Sequence, residues 1–381
     1  MSKEDNQTNL SKLSLTDAVW AFSSMVSILL TFACLLLSTV ALAYGMWWLI
    51  TNASGKVSMR ATALLAFMLY MSLRTLIWRP QPPIGMPMSE GRTRKLNELV
   101  MQVAEAVKAQ KPNSVYLTPD CTIGAYEDAR LLQLKGDVAL TIGIVALDWL
   151  SVGELRSLIA HELAHFSYQQ PLWISFPAKI GLRFLRFTYC LRTQTKLWWL
   201  SPTWWLLWFL TPIYTLASYG VIRRYELNAD AIASHRYGAT ALISALQKYG
   251  VVKILFDGVM HGISERLAME RKSLTDMVKA FRELHGRLFK NELLEQIRTE
   301  LLLTPSNPLS LHVSLSERLN ELKRVESQPR FNDSNLRAIS LLDDPENLSM
   351  ELSQLYAAAL HHLFFPLRKR KEAEGEKERD R

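Results

Sequence analysis

Ser151-Val152-Gly153-Glu154-Leu155-Arg156-Ser157-Leu158-Ile159-Ala160-His161-Glu162-Leu163-Ala164-His165-Phe166 is the stretch of this 381-residue chain from which the rest is read. Its opening Ser151-x-x-Glu154 has the form of a capping box, in which hydroxyl and carboxylate satisfy the free N–H groups at a helix start. Leu155, Leu158 and Ile159 then recur at helical spacing, so the pattern predicts an amphipathic helix that runs through the two histidines. Residues four apart on such a helix are offset by only about 40°, so His161 and His165 project from one face and can share one tetrahedral metal ion. Glu162 stands beside them, where a carboxylate can take the proton from a water molecule that the metal has acidified to a pKa of about 7. Two histidines can also fall four apart by accident, but here the motif follows a helix-start signal and an apolar strand-like run.

A working centre of this kind needs a third protein ligand. Arg223-Arg224-Tyr225-Glu226-Leu227-Asn228-Ala229-Asp230 supplies two carboxylates four apart, so Glu226 and Asp230 share a helix face. One can bind metal directly, and the other can orient a histidine through its second ring nitrogen. On its own such a pair is ordinarily a solvated helix face; it gains meaning beside the histidine motif. His235, His261, His285, His361 and His362 have no ligand spacing with other metal-type residues. Cys34, Cys121 and Cys190 are odd in number and far apart, which excludes a disulfide framework and a thiolate zinc site.

Upstream of the motif, Leu96, Leu99, Val100, Val103 and Val107 predict a helix over roughly 91–110. Short β-type runs at 114–117, 122–126 and 138–144, separated by turn residues, predict a small sheet. Pro80, Pro82, Pro83 and Pro87 mark a stiff linker before that domain. Ahead of the linker, 18–50 carries no charged residue and at about 1.5 Å per residue would reach about 50 Å, against a hydrocarbon core of about 30 Å. With the second apolar run, 61–78, it reads as a transmembrane hairpin. Lys3, Lys12, Arg79, Arg92, Arg94 and Lys95 flank its outer ends whereas only Lys56 and Arg60 border the tip, so both ends are expected on the cytoplasmic side.

Hydrophobic residues make up 49% of the chain and charged ones 21%, a mixture that requires segregation into membrane and water-facing blocks. The net charge of +8 accompanies no aromatic-interleaved basic stretch, so nucleic acid is not expected as a partner and the lipid bilayer is. Between the two metal motifs, 197–222 is uncharged and rich in tryptophan, as at a membrane interface. The run 172–190 carries Lys179, Arg183 and Arg186 at helical spacing and reads as an interfacial amphipathic helix.

Ala160-His161-Glu162-Leu163-Ala164-His165-Phe166, the preceding Leu147-Asp148-Trp149-Leu150-Ser151, and Glu226-Leu227-Asn228-Ala229-Asp230 together resemble the integral-membrane gluzincin peptidases that include bacterial HtpX and the CAAX prenyl endopeptidases. The resemblance covers roughly 91–250 and, more faintly, 309–322. It implies Glu226 as third ligand to one Zn²⁺ per subunit, Asp230 as a residue that orients a histidine, and Glu162 as general base. His312 and Arg318 resemble the late histidine and arginine of that family, implied to stabilise the oxyanion and shape the substrate site. Val313 departs from the family pattern, which usually has proline there.

The fold expected is α+β, mainly helical: an N-terminal tail (1–17), a transmembrane hairpin (18–78), a Pro-rich linker (79–90), a zincin-like metallopeptidase domain (91–366) with a membrane-associated insertion (172–222), and a charged tail (367–381). The function expected is a multi-pass zinc endopeptidase of the bacterial inner membrane, its catalytic domain cytoplasmic, cleaving membrane or membrane-proximal polypeptides. CAAX-type prenyl protein processing and an inactive scaffold with a relict metal site are the alternatives. Physiological substrate and oligomeric state have no signal in the sequence.

Overall fold

A computed structural model describes residues 14–53, 55–88, 91–133, 135–270, 276–288, 291–307, 313–325 and 336–358. The expected charged tail and most of the expected N-terminal tail lie outside the described residues. Helix α1 (Leu15–Asn52) starts at a capping box of Ser14 and Asp17, and α2 (Lys56–Ile77) follows after a turn through Gly55, whose φ of 104° suits glycine. The two helices pack together, with the position of a Gly45 Cβ only 3.4 Å from Leu65. Outward-facing apolar residues cover them: Leu36 and Leu37 are 66% and 65% exposed. Surfaces of that kind belong against hydrocarbon.

The metal-motif domain is built on a four-stranded mixed sheet. Its strands are β1 (Met86–Pro87), β2 (Ser114–Thr118), β3 (Ile123–Asp128) and β4 (Asp137–Gly143), in the order β1-β2-β4-β3. β2 and β4 are parallel, the outer pairings antiparallel, and β3 is an edge. β1 lies inside the stretch read as a non-regular linker; two residues, one of them a proline, give no periodic signal. Against the sheet pack α3 (Arg94–Ala106), α4 (Ile144–Trp149) and α5 (Val152–Ala164). All five residues expected on the apolar face of the first of these, from Leu96 to Val107, are buried in the main core. A short helix replaces the end of the expected third strand, because Ile144, Val145, Ala146 and Leu147 are buried on all sides and so show no period.

The insertion departs from its expected form. Helix α6 (Leu172–Gln194) lays its basic stripe on the sheet: buried Arg183 pairs with Glu127, and Arg186 donates to the Glu127 carbonyl at 2.8 Å while stacking over Tyr126. Arg183 and Arg186, read as facing lipid headgroups, therefore face β3, and Lys179 lies over the Phe166 ring. The uncharged run from 197 is not continuous either. Helix α7 (Pro202–Ala217) stops at Ser218, and α8 (Tyr219–Tyr237) leaves it at a bend of 70°. α8 ends at Gly238, whose φ of 95° terminates it, where the sequence pattern suggests one helix running on to Tyr249. The remaining helices are α9 (Ala239–Glu270), α10 (Met277–Leu288), α11 (Asn291–Leu303), α12 (Leu315–Lys323) and α13 (345–358).

A second core joins α1, α6 and α7 through Ile28, Leu35, Phe184, Phe187, Leu207 and Tyr214. Buried hydroxyl pairs, Ser72 with Thr203 at 2.7 Å and Thr75 with Ser201 at 2.9 Å, tie α2 to the start of α7. Among the described residues, three helices are long and apolar enough to cross a membrane: α1, α2 over Ser58–Ile77, and α9 over Ala239–Gly258; α7 with α8 would make a fourth as one bent span. In α9, Leu242, Ala245, Leu246, Leu255 and Phe256 are buried in the main core, so its apolarity serves the domain interior.

Candidate metal centre

Helix α5 owes its start to the capping box. Ser151 Oγ accepts from the Glu154 N–H at 3.3 Å, and Glu154 accepts from the Ser151 N–H at 2.9 Å. Glu154 also bonds Ser244 at 2.6 Å and Lys248 at 2.7 Å, which fixes α5 to α9. Burial pushes the Glu154 carboxyl up, but Lys248, the Ser151 N–H and Ser244 together outweigh it and hold it below the usual carboxylate range.

Two turns further along α5, His161 and His165 are buried, with ring centroids 4.9 Å apart. Glu226 reaches them from α8: its Oε2 lies 3.6 Å from His161 Nε2 and its Oε1 3.7 Å from His165 Nε2. One ligand atom from each residue falls within a common 4.8 Å. These separations are too long for hydrogen bonds. They suit donors arranged around a small cation, since tetrahedral bonds of about 2.0–2.2 Å put ligand atoms about 3.3–3.6 Å apart. The donor set therefore fits a metal ion, and two imidazoles with one carboxylate is a set that zinc accepts.

Asp230, one turn beyond Glu226, meets the other nitrogen of His161: its Oδ1 lies 2.8 Å from Nδ1. That contact sets the ring so that Nε2 faces Glu226. Asp230 is in turn gripped by Arg318 on α12, whose Nε and Nη2 donate at 2.8 and 2.6 Å. Arg318 Nη2 also lies 3.2–3.3 Å from both ring nitrogens of His161, so the guanidinium packs across the ring. Although burial disfavours the Arg318 charge, Asp230 first and then Glu226 and Glu162 more than restore it and push its pKa up. Arg318, grouped by the family resemblance with Asp230 behind the ligands and implied to help stabilise the oxyanion and shape the substrate site, is engaged with Asp230 and His161. His312 lies outside the described residues.

Glu162 is half-buried, and its Oε2 accepts from the Ala125 N–H at 3.1 Å. This places it against the outward edge of β3. The same edge is met by Tyr249 Oη, which accepts from the Ile123 N–H at 3.0 Å, and by Arg186 on the Glu127 carbonyl. Motif reading did not single out Tyr225. Its ring lies 4.4 Å from that of His165, tilted by 34°, and its hydroxyl donates to the His165 carbonyl at 2.9 Å. A tyrosine next to a ligand on an apolar helix face looks like any core aromatic, so the sequence held no separate signal for it. His235 is exposed on α8, away from the cluster.

A family model described as Peptidase family M48 matches residues 90–326. No curated relative and no solved structure matches the chain.

Proposed function

The chain belongs to peptidase family M48, and from that premise we propose that it is a membrane-bound, zinc-dependent endopeptidase with Glu162 as its general base. The observation that carries this reading is the convergence of His161, His165 and Glu226 within 4.8 Å, with Glu162 on the next helical position to the first ligand. When bound, zinc supplies Lewis acidity toward a water molecule and toward a peptide carbonyl. The chain supplies the rest. His161, His165 and Glu226 hold the ion, Asp230 and Arg318 keep the His161 ring in place, and Glu162 removes a proton from water and returns it to the leaving amine.

The edge strand supports a peptide substrate. An extended polypeptide can pair with the outward edge of β3 by displacing the Glu162, Tyr249 and Arg186 side chains that bond it, which would carry its carbonyl past Glu162. Proximity to lipid supports membrane or membrane-adjacent substrates: Glu226 lies seven residues, about 10 Å of helical rise, beyond the start of α8. That start abuts α7, with its exposed Trp205, Trp208 and Phe209. The distribution of Lys and Arg about the α1–α2 hairpin supports a cytoplasmic catalytic domain, and the HtpX-like motifs support a bacterial inner membrane.

Glu162→Gln tests the mechanism. The variant is expected to retain zinc and to lose cleavage of an unfolded membrane-protein substrate by about 10²–10⁴-fold, the contribution of a positioned base. Full cleavage by that variant contradicts the assignment, and full cellular function without cleavage supports the scaffold alternative.

A further inference from the structure

The N-terminal end of α1 reaches the domain and docks at the break between α7 and α8. There Trp20 lies over Gly220, the second residue of α8. A Cβ on Gly220 would stand 2.3 Å from both Trp20 Cγ and Cδ1, atoms next to the backbone attachment that cannot swing aside without moving the whole ring. The indole also meets Tyr219 edge-on, with centroids 6.2 Å apart. Beside it, Ser23 Oγ donates to the Ala217 carbonyl, one of the acceptors that the end of α7 leaves without a helical partner. Asp17 lies 3.8 Å from Arg224.

These contacts lead to the metal centre. Trp20 packs on the cluster of Val221, Tyr225, Ile174 and Ala178. Tyr225 lies against the His165 ring and bonds its carbonyl, and the next residue is Glu226. We infer that Trp20, seated in the Gly220 notch, is a positioning residue for the metal centre, through which the first apolar helix sets the direction of α8 and hence the placement of Glu226 and Tyr225 against His165. The inference rests on the ligand assignment given above. It separates α1 into a distal part that serves only as an anchor and a proximal part that belongs to the site.

The test is zinc affinity of the full-length protein in detergent, measured by competition with a chromogenic chelator, together with the visible absorption of the cobalt-loaded protein. Trp20→Ala is expected to weaken zinc binding by about 10–100-fold, the range seen when groups that orient ligands are removed, and to alter the cobalt spectrum. Trp20→Phe, which keeps an aromatic plug, restores most of both. Gly220→Ala weakens binding on its own but adds little to Trp20→Ala, because the two act on one contact. Trp47→Ala, at the exposed far end of the same helix, leaves both readouts unchanged. Thermal unfolding of the metal-free variants separates a local effect from loss of fold: a Trp20→Ala protein that melts like the parent yet binds zinc weakly supports the inference. Parental affinity and spectrum in Trp20→Ala overturn it, as does an equal loss in Trp47→Ala. Absence of zinc binding in the parent instead defeats the ligand assignment itself.

Discussion

Asp230 and Arg318 form a buried ion pair, and both lie against the His161 imidazole. Removing only one partner leaves an uncompensated charge in the interior, which costs about 3–5 kcal/mol. Arg318→Ala is therefore expected to lower the melting temperature of the metal-free protein and also to weaken zinc binding. Asp230→Asn, which keeps the size and an acceptor, is expected to weaken zinc by about 10–100-fold with a smaller loss of stability. Denaturation and metal competition on both variants check the ordering; equal effects on affinity and stability in the two would contradict it. His161, Glu162 and His165 were legible because imidazole, carboxylate and imidazole at those fixed helical offsets seldom coincide by chance. Glu226 and Asp230 were legible only together with them. Arg318 was picked out by likeness, but its contact with Asp230 arises from α12 packing against α8, which no spacing along the chain encodes.

At the scale of elements, the site depends on a helix held at both ends. Ser151→Ala removes the acceptor for the Glu154 N–H and is expected to cost about 1 kcal/mol, read from chemical denaturation. Glu154 adds a pH dependence. Its folded pKa lies below its unfolded one, so the stability it confers is fully present above the unfolded value of 4.5 and is lost as pH falls through the lower folded value. The difference in melting temperature between the parent and Glu154→Gln should thus be large near neutral pH and shrink as pH falls below the unfolded value of 4.5. A difference independent of pH would refute the role of the ionised carboxylate. The α5 start, the three principal strands and the face of α3 were readable because each has its own period or punctuation. The 70° bend at Ser218 was not, since it interrupts an apolar run that looks continuous and is met by Trp20 and Ser23 of a helix distant in the chain. The stripe of Lys179, Arg183 and Arg186 misled for a related reason: basic residues at helical spacing look alike whether they meet phosphate or a buried Glu127.

Over the whole molecule, the metal centre lies where the sheet core meets the small cluster of Ile174, Ala178, Val221 and Tyr225, with α8 contributing to both, while a further core joins α1, α6 and α7. A ligand set shared between α5 and α8 means that metal binding joins the two. Chelation is therefore expected to lower the melting temperature and to raise amide hydrogen exchange first in α8 and the 166–171 turn, sparing β2 and β4. Uniform exchange across the domain would argue against that coupling. The separation into apolar anchor and domain was evident from composition, whereas the docking of the anchor onto the site helix is a tertiary fact with no counterpart in local pattern.

The central claim is that three side chains from two helices hold one zinc ion. Elemental analysis of the purified full-length chain after exhaustive dialysis tests it most directly, with Glu226→Ala compared beside Glu162→Gln. The account predicts one zinc per chain in the parent and in Glu162→Gln, and little or none in Glu226→Ala. A parent that retains no zinc when it is supplied, or a Glu226→Ala protein that holds it as tightly as the parent, would contradict the account.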